Sequence, residues 1–121
     1  MSCRIIKHKR GTRLIIPFRL RYSGYDWVNT RFRMQLRESD DAPQVVTFDS
    51  GGGSSNTSFS GSVVSPGVFE GQFIAEHPVT RDWPDVLIGD LWVYRASPVF
   101  GPYVVLPFEL HALTPRTETS P

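Results

Sequence analysis

Thr30-Arg31-Phe32-Arg33-Met34-Gln35-Leu36-Arg37-Glu38 decides the fold. Apolar side chains fall at Phe32, Met34 and Leu36, and polar ones at Arg31, Arg33, Gln35 and Arg37. This strict period of two predicts a β-strand with one face in a core and the other in water or on a partner. Wound as a helix, the same residues would scatter arginines and apolar groups around every side. The outward face carries arginines, which suit a solvated surface or edge strand because long charged side chains discourage wrong pairing. A protein or nucleic-acid contact is the second reading of the same face.

The stretches on either side repeat the pattern. Upstream, Leu14, Ile16, Phe18, Leu20 and Tyr22 alternate with mostly basic residues, and Pro17 falls on the outward side. Proline cannot donate to a ladder, so this strand is expected at an edge or at a change of partner. Cys3 to Lys9 reads as a short strand or an arm. Downstream, Ser39-Asp40-Asp41-Ala42-Pro43 is a turn cluster, and Gln44 to Asp49 returns as the second strand of a hairpin. Residues 57–65, 68–76, 86–95 and 103–113 supply further strands, separated by Ser65-Pro66-Gly67, by an irregular connection from His77 to Asp85, and by Ser97 to Pro102. About seven strands, short turns and no helix predict an antiparallel β-sandwich, loosely immunoglobulin-like. Its expected core is Phe18, Leu20, Phe32, Met34, Leu36, Phe73, Leu91, Val93 and Phe108.

The 121 residues suffice for one domain with a modest core. The expected division is a basic N-terminal arm or short strand over 1–10, a sandwich over 11–114 and a polar tail over 115–121. The only lysines are Lys7 and Lys9, and ten prolines and ten glycines run through the chain, so good helix formers are scarce. The single cysteine, Cys3, excludes an internal disulfide and a cysteine-based zinc site, and leaves open a bond between chains. Basic residues interrupt the N-terminus, and no apolar run approaches a membrane span, so no signal peptide and no membrane contact are expected. Net charge is +1, but unevenly spread. Up to Arg37 there are ten Lys/Arg and one acid, hence +9; from Glu38 onward there are three Arg and eleven acids, hence −8. Such polarity suits a basic surface for nucleic acid, or a positive patch that meets the negative patch of another copy, unless the fold mixes the two halves.

Catalytic and metal-binding patterns do not emerge. His8, His77 and His111 lie far apart and lack ligand spacing. Ser60-Gly61-Ser62 lacks the strand–turn–helix setting of a hydrolase nucleophile. Gly51-Gly52-Gly53 is followed by no phosphate-loop lysine or helix, and reads as a surface loop. Asp82, Asp85 and Asp90 can gather near Trp83 and Trp92, as in a glycosidase or calcium site, but not in calcium-loop order. Trp92 sits mid-strand and is expected in the core, whereas Trp27 and Trp83 stand beside turns and are expected at an interface. The candidate interface residues are therefore Arg4, Lys7, Lys9, Arg10, Trp27, Arg31, Arg33, Arg37 and Trp83. No catalytic residue, cofactor or metal is expected.

Asp26-Trp27-Val28-Asn29-Thr30-Arg31-Phe32-Arg33-Met34-Gln35-Leu36-Arg37-Glu38-Ser39, followed by Ala42-Pro43, resembles a group of immunoglobulin-like virion modules of tailed bacteriophages. These are similar to the N-terminal domain of baseplate upper proteins. Gly11 to Leu20, Leu87-Ile88-Gly89-Asp90-Leu91 and Leu113-Thr114-Pro115-Arg116 stand where the group has its opening strand, its leucine-x-x-glycine-x-tyrosine strand and its closing segment. Leu91 replaces the usual tyrosine, and the His77 to Asp85 connection is the chain's own. The resemblance implies a non-enzymatic virion protein, a tail, baseplate or neck adaptor. Such a subunit is made in a host cytoplasm and assembles with other virion proteins and with copies of itself in a ring. In that reading the basic N-terminal residues reach a neighbour as an arm. The alternatives are a head decoration protein, a carbohydrate-binding module using Trp27 and Trp83, and a nucleic-acid binder using the basic first third. The last lacks any recognised reading motif.

Overall fold

A computed structural model describes residues 3–114. The strands are β1 (Arg4–Lys9), β2 (Leu14–Arg21), β3 (Arg31–Arg37), β4 (Gln44–Asp49), β5 (Thr57–Ser65), β6 (Val68–Ala75), β7 (Val86–Arg95) and β8 (Phe100–Leu113). One helical turn, α1 (His77–Thr80), interrupts the connection that the sequence leaves irregular, with Pro78 in its first turn. The fold is all-β. A five-stranded sheet of order β1-β8-β7-β3-β4 faces a three-stranded sheet of order β2-β6-β5. The expected tail over 115–121 lies outside the described residues.

Alternation builds both inner faces. β3 buries Phe32, Met34 and Leu36 and turns its arginines outward. β2 buries Leu14, Ile16 and Phe18. The rings of Phe18 and Phe32 meet across the sandwich at 5.4 Å, and Phe18 also contacts Phe73 at 5.4 Å. Of the expected core, Leu20 is only partly buried, packed against the cluster that contains the others. Each fully buried side chain of this size contributes about 1.5–3 kcal/mol by leaving water. Turn chemistry closes the elements. Pro66 precedes Gly67, whose φ of 76° is the left-handed conformation a type II turn requires.

Two features differ from a simple antiparallel sandwich. β1 pairs parallel to β8, with Arg4 beside Phe108 and Lys9 beside Leu113. Residues 4–9 are thus part of the sheet, and Ile6 packs against the core. Strand β3, with its arginines, is an interior strand between β7 and β4 rather than an edge.

Pro17 lies on an edge strand, as its chemistry demands. Tyr22 N donates to Gly67 O at 2.8 Å. In an antiparallel ladder the bonded positions recur every second residue, so even positions of β2 bond to β6 and odd positions face away. The missing Pro17 N–H therefore removes no ladder bond.

The fold also mixes the charged halves of the chain. Arg13 pairs with Glu76 at 3.2 Å, Arg19 with Glu70 at 3.5 Å, and Arg31 and Arg33 with Asp49 at 3.1 and 3.8 Å. Arg10 pairs with Asp85 and also donates from Nε to Trp83 O at 2.6 Å. Each pair joins a cation of the first third to an acid of the remainder.

Candidate functional site

Strand β7 sets the site. Leu87, Leu91 and Val93 point inward and are buried. Gly89 shares their face, and a Cβ there would come 2.3 Å from Gln35 O, so only glycine lets β7 approach β3 this closely. The intervening Ile88, Asp90, Trp92 and Tyr94 therefore face out of the five-stranded sheet. On one side they meet the outward residues of β3, with Arg33 opposite Trp92, Gln35 opposite Asp90 and Arg37 opposite Ile88. On the other they meet β8, with Pro107 opposite Asp90 and Glu109 opposite Ile88. Together with Cys3, Asp40 and Pro102 these residues line an open groove of about 860 Å³.

Its floor is apolar at Trp92, Tyr94, Ile88 and Pro107, and its sides are charged. Trp92 is 43% exposed at the middle of the face. Its indole Nε1 lies 3.4 Å from Asp90 Oδ2, a long contact. The polar side of the groove is held in place beforehand. Arg37 donates to Ala42 O and to Gln35 Oε1, both at 2.8 Å, and Gln35 Nε2 donates to Gln44 Oε1 and reaches Thr47 Oγ1 at 3.3 Å. His111 Nε2 lies 2.6 Å from Glu109 Oε1. A partner meeting this surface finds polar groups whose side-chain entropy is already largely spent.

The tryptophans occupy the reverse of the expected places. Trp92, expected in the core, is the exposed one. Trp27 and Trp83, expected at an interface, are 7% and 4% exposed. The loops that carry them fold over the ends of the sandwich. Trp27 meets Tyr25 edge-on at 4.7 Å and lies 5.8 Å from Phe69 and 6.1 Å from Phe32. Trp83 is enclosed where Arg10 binds its carbonyl. Two core assignments carried the missed signal: with Leu91 and Val93 inside, a period of two puts Trp92 outside.

Of the other expected interface residues, Arg33 and Arg37 line the groove, and Lys7 and Lys9 stand exposed on the outward face of β1. Arg31 is tied to Asp49. Arg4 and Arg10 are structural: Arg4 donates to Pro17 O and sits 5.7 Å over the Phe108 ring, and the Arg10 side chain is 19% exposed between Trp83 and Asp85. Of the groove residues, Gln35, Ile88, Pro107 and Glu109 are not marked as site candidates by the sequence. Asp82, Asp85 and Asp90 do not gather, and among the described residues no three His, Cys, Asp or Glu side chains could hold a metal ion. No helix among them is long and apolar enough to cross a membrane.

Neither a family model nor a curated protein sequence matches this chain.

Proposed function

We infer that the chain is a non-enzymatic structural subunit that works by protein–protein association, of the kind built into tailed-bacteriophage virions as tail, baseplate or neck adaptors. The observation that carries the association reading is Trp92. It is a large aromatic kept half in water on the floor of the groove, ringed by apolar and pre-oriented polar groups. Tryptophan and arginine at the centre of a contact dominate binding energies, and Trp92 stands among Arg33, Arg37 and apolar neighbours in one groove. The strand order supports the immunoglobulin-like part of the reading. β8-β7-β3-β4 facing β2-β6-β5 follows the order of a variable-type sandwich, with β1 added beside β8. The motif around Arg31 to Glu38 supports the virion part.

The groove takes a side chain or loop of the next virion protein on Trp92, with Arg33 and Arg37 meeting acidic groups at its rim. The test is particle composition. Mass spectrometry of purified virions should find the chain, and a folded Trp92→Ala variant supplied in its place should fail to incorporate. Absence of the wild-type chain from particles would overturn the virion reading.

A second reading has its own support. An exposed indole flanked by Asp90, Glu109 and Gln35 also suits the apolar face and hydroxyls of a sugar ring. Carbohydrate binding through Trp27 and Trp83 is incompatible with their burial, so this alternative now rests on Trp92. Glycan-array binding that disappears in Trp92→Ala would favour it.

A further inference from the structure

A sandwich of two open sheets has four edges, and three of them are visibly blocked. β1 presents Lys7 and Lys9. β2 presents Pro17, whose carbonyl is taken by Arg4, together with Arg19 and Arg21. β4 is covered where Ser54 N donates to Thr47 O at 2.8 Å and Thr47 N donates to Ser54 Oγ at 2.9 Å. These are the ordinary protections against edge-to-edge pairing: cations, proline and a covering loop.

Among the described residues the fourth edge has none of them. β5, Thr57-Ser58-Phe59-Ser60-Gly61-Ser62-Val63-Val64-Ser65, has nine residues with no charge and no proline. It pairs with β6 on one side, and no strand among the described residues pairs with its other side. Its only irregularity is the register shift between Val63 and Ser65 at its end. The direction of its free groups follows from one bond. Glu76 N donates to Asn56 O at 2.9 Å, so even positions of β5 bond to β6 and the N–H and C=O of Phe59, Gly61 and Val63 point to the open side.

We propose that this edge is a self-association site, at which β5 of one copy pairs antiparallel with β5 of a second copy about a two-fold axis at Gly61. Antiparallel pairing of a strand with itself is isologous and closes as a dimer. The sequence is self-complementary in that register. Gly61 meets Gly61, where two backbones can approach without side chains between them. Phe59 falls opposite the partner's Val63 on the inner face, an aromatic–β-branched pair of the favourable kind. Ser60 falls opposite the partner's Ser62 on the outer face. The outward N–H and C=O of Phe59, Gly61 and Val63 all find acceptors and donors, and two three-stranded sheets become one continuous sheet. Charge favours a second copy at this edge over the others, since the β1 and β2 edges would oppose cations to cations. This proposal is independent of the groove and of the virion reading.

The test uses the whole chain in reducing buffer, so that Cys3 cannot link copies. Sedimentation velocity over a wide concentration range should show a reversible monomer–dimer equilibrium. In the Ser60→Lys/Ser62→Lys double variant, lysines oppose lysines across the axis, and the dimer should disappear at the concentration where the wild type is half dimeric. In Ser60→Glu/Ser62→Lys the same positions oppose opposite charges, and the dimer should persist and become sensitive to salt. Both serine side chains are exposed, and unchanged circular dichroism and melting will establish that each variant is folded. A wild type that stays monomeric throughout would overturn the proposal, as would a lysine-pair variant that still dimerises. Loss of the dimer in both variants would overturn the register about Gly61. A monomer whose β5 amides gain hydrogen-exchange protection only with a foreign chain would assign the edge to that chain instead.

Discussion

Arg4 on β1 donates its guanidinium N–H to the backbone carbonyl of Pro17 on β2, and so links the edge of one sheet to the edge of the other. The acceptor is a carbonyl that the β2–β6 ladder does not use. Arg4→Met keeps much of the stem over Phe108 but removes the bond. A hydrogen bond to a charged donor contributes about 1.5–3 kcal/mol when buried, and less at this exposed rim, so a loss of about 1 kcal/mol is expected. Denaturant unfolding of the two proteins will measure it.

The same strand makes residues 4–9 part of the stable structure. β1 pairs along Phe108 to Leu113, Ile6 packs on the core, and Arg10 ties down Trp83 and Asp85. Deleting residues 1–10 should therefore lower the unfolding midpoint and expose the edge of β8. A truncated chain as stable as the full one would show that β1 contributes nothing to the fold. Particle incorporation of that truncation would report stability as well as contact, so changing only Lys7 and Lys9 to Ser is the cleaner probe of a contact role.

Trp27 is buried among Tyr25, Phe32 and Phe69, yet its Nε1 is a buried donor with no acceptor among the described residues. An unpaired buried N–H costs about 1–3 kcal/mol, which offsets part of the ring's packing. Trp27→Ala should destabilise by roughly 3–5 kcal/mol through the cavity it leaves. Trp27→Phe, which keeps an aromatic ring and removes the donor, should cost far less. Equal losses in thermal or urea unfolding would mean that the indole N–H is satisfied in solution.

Asp49 gathers three donors. Its carboxylate accepts Gly51 N at 2.8 Å and pairs with Arg31 and Arg33, and its side chain is 10% exposed. Asp49→Ala leaves two neighbouring guanidinium groups without their shared anion and loosens the Ser50 to Gly53 turn. The expected loss is about 1–2 kcal/mol, because both arginines remain nearly half exposed and water compensates them. Added salt should narrow the gap between wild type and variant, which can be followed by unfolding at low and high ionic strength.

Alternation is a local property, and it made the inner faces legible. β2, β3, β6 and β7 show their buried residues in the order of the chain, and Pro17 announces an edge. For the tryptophans, parity is the better guide than chain position: Trp92 is central in its strand but falls between two inward residues. Trp27 and Trp83 lie beside turns, and nothing local reveals that those turns fold back over the open ends of the sandwich. The parallel β1–β8 pair was also illegible, since short-range pattern carries no information on which distant strand a segment will meet. The groove depends on that same unread order, because its walls come from β3, β7 and β8 and are far apart in sequence.

The pairing of β1 with β8 bears on how the protein is made. During synthesis the cationic first third leaves the ribosome well before Asp49, Glu70, Glu76 and Asp85, the acids that neutralise it. β1 then waits for a strand that ends at Leu113. Contacts between residues so far apart carry a large loop-closure cost before they return any stability, and they slow folding. The cationic segment thus emerges with its charge unmatched until Asp49, Glu70, Glu76 and Asp85 follow in turn, and the sandwich can close only once β8 has emerged.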